Sequence, residues 1–402
     1  MFLRRNRLEP SVLGYWKLPG ELGLLLDISL QQARQVPEGI DWDYFDRLVS
    51  QHRIQPLLIR GLRPFGGDCP PELAKYRPQQ SRLMKQSMER IQALAAINAA
   101  FSEAGIHMIS MKGPMLAMEL YGDPSLRTSR DLDLMVAQED LDRAGEILTG
   151  MGYEPERHLY DSTPMRQKFY RMVEHEKHLV YNKGDICIEL HWQSDYQREQ
   201  SFPELWTRRE ERQLMGRPIA LMGHDDRIPA LVIHAAEHGF LRLRWLLDLY
   251  ELQKKPGFSW ERIYALMDAQ GLGVVLLETL LVMHRLDLPG LTDLECKYFR
   301  LKRGEDGILL EEKDSERAAK LSNAVFPLLL RQVRATEPEW KAYDSLMPRA
   351  VYGKTALQWL LTVLGPTEHE YEFVDLPDWL FWLYFIIRPI NWVRRKLFGG
   401  KK

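Results

Sequence analysis

The stretch Ile106–Val136, IHMISMKGPMLAMELYGDPSLRTSRDLDLMV, constrains the fold most, because it places two carboxylates one residue apart inside an apolar run. Side chains alternate along a strand with period two. Asp131 and Asp133 therefore share one face, while Leu132 and Leu134 turn the other way into a core. Two like charges held side by side repel, and a divalent cation between them removes the conflict. Mg2+ suits the place, since it takes a few carboxylates and completes its shell with water and phosphate oxygens. Ahead of the acids come a strand-like run (Ile106–Met111), a Lys112-Gly113 turn, a short helix and a loop bearing Arg127 and Arg130. The stretch reads as the metal-binding half of a phosphoryl-transfer site.

The regions around it have a different texture. Residues 1–105 carry helical periodicity, with Asp41 placed to cap a helix starting at Trp42 that stops or kinks at Pro56. A long helix is expected over Gln79–Ala104, its buried stripe running through Met84, Met88, Ile91, Ala95, Asn98 and Phe101, with Gly105 as its terminator. After the acidic strand, Asp140 is expected to cap a helix over Leu141–Met151. His178–Tyr181 and Ile186–Trp192 then read as a hairpin around Asn182-Lys-Gly-Asp185. In its second arm Cys187, Glu189 and His191 share a face. A glutamate within such an apolar strand is costly unless a metal or a hydrogen-bonding partner neutralises it. Glu189 is thus the candidate third carboxylate, the alternative being a salt bridge to Lys177 or Lys183.

From Arg227 onward helices return, at Ile228–Phe240, Trp245–Leu252, Trp260–Gln270 and Val274–Leu286, followed by a strongly charged solvated excursion over 291–320. The expectation is an α+β protein in which a small mixed sheet is embedded in a mostly helical chain. Its expected divisions are 1–105 helical, 106–225 core, 226–375 helical and 376–402 an aromatic and basic tail. At 402 residues a chain of about two to four domains is expected. With 54 basic against 56 acidic residues the net charge is −2, which gives no global field for gathering long nucleic acid. The scattered cysteines, Cys69, Cys187 and Cys296, form neither a zinc spacing nor a disulfide framework and fit a reducing cytosol.

Taken together, Lys112-Gly113, Tyr121, Arg127, Asp131-Leu-Asp133-Leu and Glu189-Leu-His191-Trp192 resemble the uncharacterised nucleotidyltransferase family of the polymerase-β-like superfamily. Arg244-Trp245-Leu-Leu-Asp248 and the His234/His238 pair are similar to that family's helical region. The resemblance spans roughly residues 40–290. It implies a small mixed sheet with helices on one side, and transfer of a nucleoside monophosphate from NTP to an acceptor with release of pyrophosphate. It further implies that Asp131 and Asp133 hold Mg2+, or Mn2+ in its place, and that Glu189 completes the set as ligand or general base. Gly113 would admit the phosphates close to the backbone, and Lys112, Arg127 and Arg130 would balance their charge. Pro114 departs from the superfamily's frequent Gly-Ser turn, having neither hydroxyl nor N–H to offer. A silent nucleotide-binding or partner-docking protein that keeps the fold is the reading of a different class.

Two other motifs compete for attention. His234-Ala-Ala-Glu237-His238 matches the H-x-x-E-H of zinc peptidases, although a structural or acceptor-side role is preferred at this position. Asp248 is expected to tether Arg242 or Arg244. The apolar run Trp379–Ile387 would be about 14 Å long as a helix, too short to span a bilayer core of about 30 Å. Six basic residues follow from Arg388 with Trp392 and Phe398 among them, which suits a docked helix or an interfacial one. No secretory signal or spanning segment is read, so the expected place is the cytoplasm, with contact at the inner membrane surface through 379–402.

Overall fold

The computed structural model describes residues 17–156, 163–173, 178–193, 201–288, 302–304, 307–309, 313–330, 337–347, 361 and 364–398. The first part of the chain forms α1 (Gly20–Ser29), α2 (Trp42–His52), α3 (Gln55–Gly61), α4 (Pro71–Ala74) and α5 (Gln79–Glu103). Next come β1 (Met108–Ser110), α6 (Gly113–Tyr121), β2 (Asp131–Val136), α7 (Leu141–Gly150), β3 (Glu154–Pro155) and α8 (Pro164–Val173). The hairpin β4 (His178–Lys183) and β5 (Ile186–His191), α9 (Phe202–Thr207), and β6 (Glu210–Leu214) with β7 (Arg217–Leu221) complete the sheet region. Four helices follow: α10 (His224–Glu237), α11 (Leu243–Leu252), α12 (Trp260–Asp268) and α13 (Gly273–Arg285).

The strands form one mixed sheet in the order β3-β4-β5-β2-β1-β7-β6, with β2 antiparallel to β1 and parallel to β5. Strand β2 owes its orientation to its apolar half. Leu132, Leu134 and Val136 are buried against α5 and α7 together with Ile188 and Leu190 of β5. Each such side chain contributes roughly 1.5–3 kcal/mol on burial. A one-residue slip would turn all three out of this cluster and drive Asp131 and Asp133 into it, so the register that keeps the apolar side chains inside also fixes the acids on the opposite face. On that opposite face Met135, Ile109 and Ala220 join the larger core shared with α6 and α10 to α13. Helices therefore cover both faces of the sheet, not one, because the second face is apolar everywhere except beside the acids. The larger core runs continuously from Leu22 to Met347.

Helix α5 ends where expected. Gly105 takes φ +71°, and Ile106 donates its N–H back to the Phe101 carbonyl at 2.8 Å, the closure of a Schellman cap. Its buried stripe is displaced from the expected one, however. Ser87, Ile91, Leu94, Asn98 and Phe101 are inside, whereas Met84 and Met88 are 46% and 44% exposed. Only from Ser87 onward does the helix lie over the sheet core. Its first turns border a groove lined by Gln79, Arg82 and Gln86. Asp140 likewise makes no side-chain cap: it closes a 3-10 turn that runs straight into α7, and its carboxylate bonds to Arg143 at 3.2 Å.

In the charged stretch the described residues give a short hairpin, Lys302–Gly304 with Gly307–Leu309, and a helix over Lys313–Leu330. Cys296 and Lys177 lie outside the described residues. The tail is not a single helix, since a 3-10 segment (Asp378–Leu383) precedes the helix Tyr384–Phe398. It docks through Phe381 and Tyr384, which cluster with Phe169 and Tyr371.

Candidate active site

Two strands bring the acids together. Strands β2 and β5 run parallel with Asp131 opposite Cys187 and Asp133 opposite Glu189. Neighbouring strands lie about 4.8 Å apart, so Asp131, Asp133 and Glu189 are adjacent on one face. Ser129 fixes Asp131 by bonding both its carbonyl (2.6 Å) and its Oδ1 (2.9 Å). Asp133 is buried, with Lys112 Nζ and His191 Nε2 each 3.6 Å from Oδ1. Burial alone would push its carboxyl up. Lys112, the hydrogen bond and charge of His191, and the more distant His234 outweigh that and hold it well below the usual carboxylate range. Asp133 is thus an anion in an enclosed place. Cys187, on the same face, is pushed up to about 11 by burial and by Glu189 and Asp131, so it stays a thiol.

The turn at Lys112 sets the second wall. Gly113 holds φ +70°, a region that costs other residues strain, and starts α6 with its backbone beside the Asp131 carbonyl. Pro114 sits in the first turn of that helix, where a missing N–H breaks no intrahelical bond. Lys112 Nζ also lies 3.4 Å from His234 Nδ1 on α10.

Arginines close the third side. A cavity of about 480 Å3 is lined by the acids together with Arg53, Arg127, Arg130, Arg242 and Arg244. Arg127 is buried and donates from Nε to Asp248 at 2.8 Å, so Asp248 holds this arginine and not Arg242 or Arg244 as expected. Tyr121 donates to the same carboxylate at 3.3 Å. Burial lowers the Arg127 guanidinium, but the charge and hydrogen bond of Asp248 more than restore it. Arg244 donates to the Thr128 carbonyl and is lowered to about 9, by burial first and then by Arg127. Arg53 is lowered to about 10 by burial, Arg242 and Arg130. Cations crowded until they depress one another form a setting that a polyanion would relieve.

All seven residues singled out from the sequence lie in or beside this region, six of them lining the cavity and Gly113 at its turn. Glu237 and Trp245, from the H-x-x-E-H and Arg244-Trp245 motifs, also line it, as do Arg53 and His178, for which the sequence offered no local signal. Arg53 comes from the left-handed end of α2, and only tertiary packing carries it there. The alternative considered for Glu189, a hairpin salt bridge to Lys183, does not form, because Lys183 bonds the Met151 carbonyl at 2.7 Å. His234 and His238 pack against Trp245 with ring centroids 5.2 and 5.4 Å away. Among the described residues His178, Glu189 and His191 form the one group of three ligating side chains of His, Cys, Asp or Glu whose ligand atoms converge.

The profile of a family described as "Uncharacterised nucleotidyltransferase" matches residues 38–286. No protein of curated function matches the chain. Among solved structures the chain is similar to the antibiotic-resistance factor ANT(2'')-Ia, at 15% identity and a TM-score of 0.33 over 46% of this chain and 91% of that one. It is also similar to a tRNA-processing enzyme complex, at 13% identity and a TM-score of 0.22 over 76% of this chain and 81% of that one.

Proposed function

This chain belongs to the uncharacterised nucleotidyltransferase family, and from that premise we propose that it moves a nucleoside monophosphate from an NTP to an acceptor, with a divalent ion at Asp131 and Asp133. The observation that supports this most is the strand register that sets Asp133 beside Glu189 with Asp131 on the same face. The donor set fits Mg2+, or Mn2+ in its place, because hard carboxylate oxygens stand together beside phosphate-sized space. When bound, the ion neutralises the triphosphate and polarises its α-phosphate.

The protein's own groups do the rest. Lys112 and the amide end of α6 cradle phosphate oxygens, with Gly113 admitting them close to the backbone. Arg127, oriented by Asp248, and Arg130 balance the remaining charge. An acceptor oxygen or nitrogen attacks the α-phosphorus, the bond to the bridging oxygen breaks, and pyrophosphate leaves with that electron pair. The acceptor's proton passes to Glu189 when it acts as general base, or to water when it ligates the ion. A small molecule or protein acceptor suits the near-neutral chain better than long nucleic acid.

The test is incubation with α-labelled NTPs, Mg2+ and cell extract. Label should pass to an acceptor with the wild-type chain and fail to do so with Asp131→Ala/Asp133→Ala. Label transfer unchanged in that variant refutes the assignment. The different-class reading, a nucleotide-binding or docking protein without turnover, draws on Pro114, and NTP binding without any label transfer would select it.

A second part of the proposal concerns the tail. Among the described residues no helix is long and apolar enough to cross a membrane. Yet Trp379, Trp382, Ile386, Ile390 and Trp392 are all more than half exposed, next to Arg394 and Arg395. Aromatic and basic groups together suit the anionic face of a bilayer, so contact at the inner membrane surface by a cytoplasmic protein is the location proposed. Flotation with anionic vesicles should recover more of the full chain than of a chain ending at Pro377. Equal recovery ends the idea.

A further inference from the structure

We infer that His178, Glu189 and His191 form a second cation site, one that prefers an imidazole-binding ion such as Zn2+, Co2+ or Mn2+ over Mg2+. The three residues sit on one face of the β4–β5 hairpin. His178 and His191 are direct cross-strand partners, and Glu189 is two residues before His191 on the same strand. Their ligand atoms all lie within 4.8 Å of one another. His191 Nε2 is 3.5 Å from Glu189 Oε2 and 3.6 Å from Asp133 Oδ1. Bonds of about 2.1 Å to nitrogen or oxygen in a tetrahedron put neighbouring ligand atoms about 3.4 Å apart, so only a small closing movement is needed.

The identity of the donors decides the ion. Mg2+ favours oxygen ligands and gives up its waters reluctantly, whereas imidazole suits the borderline first-row ions. Lys112 Nζ lies 3.6 Å from the same Asp133 oxygen, so that carboxylate is divided between an ammonium and the site. Three protein ligands are therefore assigned, and the open positions go to water or to an oxygen of a substrate, the arrangement of catalytic and not structural sites. The site shares Glu189 with the transfer reading but does not depend on it, since metal binding here needs no nucleotide.

Co2+ is the probe, added to the full chain after chelator treatment. The expected result is one Co2+ per chain with visible ligand-field absorption, resistant to a large excess of Mg2+, and a melting temperature raised by the metal. His178→Gln should weaken Co2+ binding at least about tenfold, and both His178→Gln and His191→Gln should lose the metal-induced rise in melting temperature. Asp131→Asn should keep the Co2+ absorption. The inference is overturned when Mg2+ displaces Co2+ at comparable concentration. It is equally overturned when His178→Gln, melting like the wild type without metal, binds Co2+ as tightly. A Co2+ site present in a chain that transfers no nucleotide retains this inference and removes the transfer reading. Transfer on Mg2+ with no Co2+ absorption does the reverse.

Discussion

At the scale of single residues, this protein spends buried charge where it has partners and neutralises it where it has none. Asp133 has Lys112 and His191 and remains an anion. Glu278, on α13, has no comparable cation among the described residues, and burial pushes its carboxyl up to about 8. The Tyr343 hydroxyl donates to the Ala236 carbonyl at 2.8 Å. Below pH 4.5, the ordinary value for glutamate, both folded and unfolded chains carry the proton and stability is full. Between 4.5 and 8 only the folded chain keeps it, so stability falls as pH rises, by about 1.4 kcal/mol per unit from this group, until the loss is complete above 8. Urea midpoints across pH 5 to about 8 should therefore decline less steeply in Glu278→Gln than in the wild type. Parallel curves would show that Glu278 does not titrate in this window. The acids of β2 were legible because alternation along a strand is a local rule. The Arg127–Asp248 pair was not, because it joins residues 121 apart and nothing in either neighbourhood selects the other.

At the scale of elements, close packing of α1 and α3 rests on one missing side chain. A Cβ on Gly61 would lie 1.8 Å from the Ile28 carbonyl oxygen, a backbone atom that cannot swing away. Gly61→Ala should lower stability by about 1–3 kcal/mol, the usual range for overpacking. Gly23→Ala, inside α1 with nothing within 4 Å of the added carbon, should be neutral or raise stability by up to about 1 kcal/mol. Thermal melts of the two variants check this, and equal losses would mean that the helices do not approach as described. Elements with strong periodicity or turn chemistry were readable, including β2, the β4–β5 hairpin and the helices from α10 to α13. The β6–β7 hairpin was not, because its edge strand carries Glu210, Glu211 and Arg212 and lacks an apolar alternation. Its turn, Met215-Gly216 with φ of +50° and +80°, is the one local hint, and charged side chains are how an edge avoids pairing with another chain.

At the scale of the whole molecule, the candidate site lies where three separate parts of the chain meet. The sheet supplies Asp131, Asp133 and Glu189, the end of α2 supplies Arg53, and α10 with α11 supplies His234, Arg244 and Trp245. The acidic half could be read from sequence, since a single strand and its neighbour carry it. Of the basic half, Lys112, Arg127 and Arg130 were legible just ahead of the acids, whereas Arg53, Arg242 and Arg244 are brought in only by how the helices fold back over the sheet. Both halves are needed for the proposed reaction, because an ion without a phosphate-binding wall would have no triphosphate to orient. The most direct measurement is the anomalous signal of a crystal soaked with Mn2+ and a non-hydrolysable NTP. Manganese bridging Asp131, Asp133 and phosphate oxygens, with the triphosphate running toward Lys112 and the arginines, is the predicted result. A nucleotide bound elsewhere, with no manganese against the two aspartates, would contradict the account.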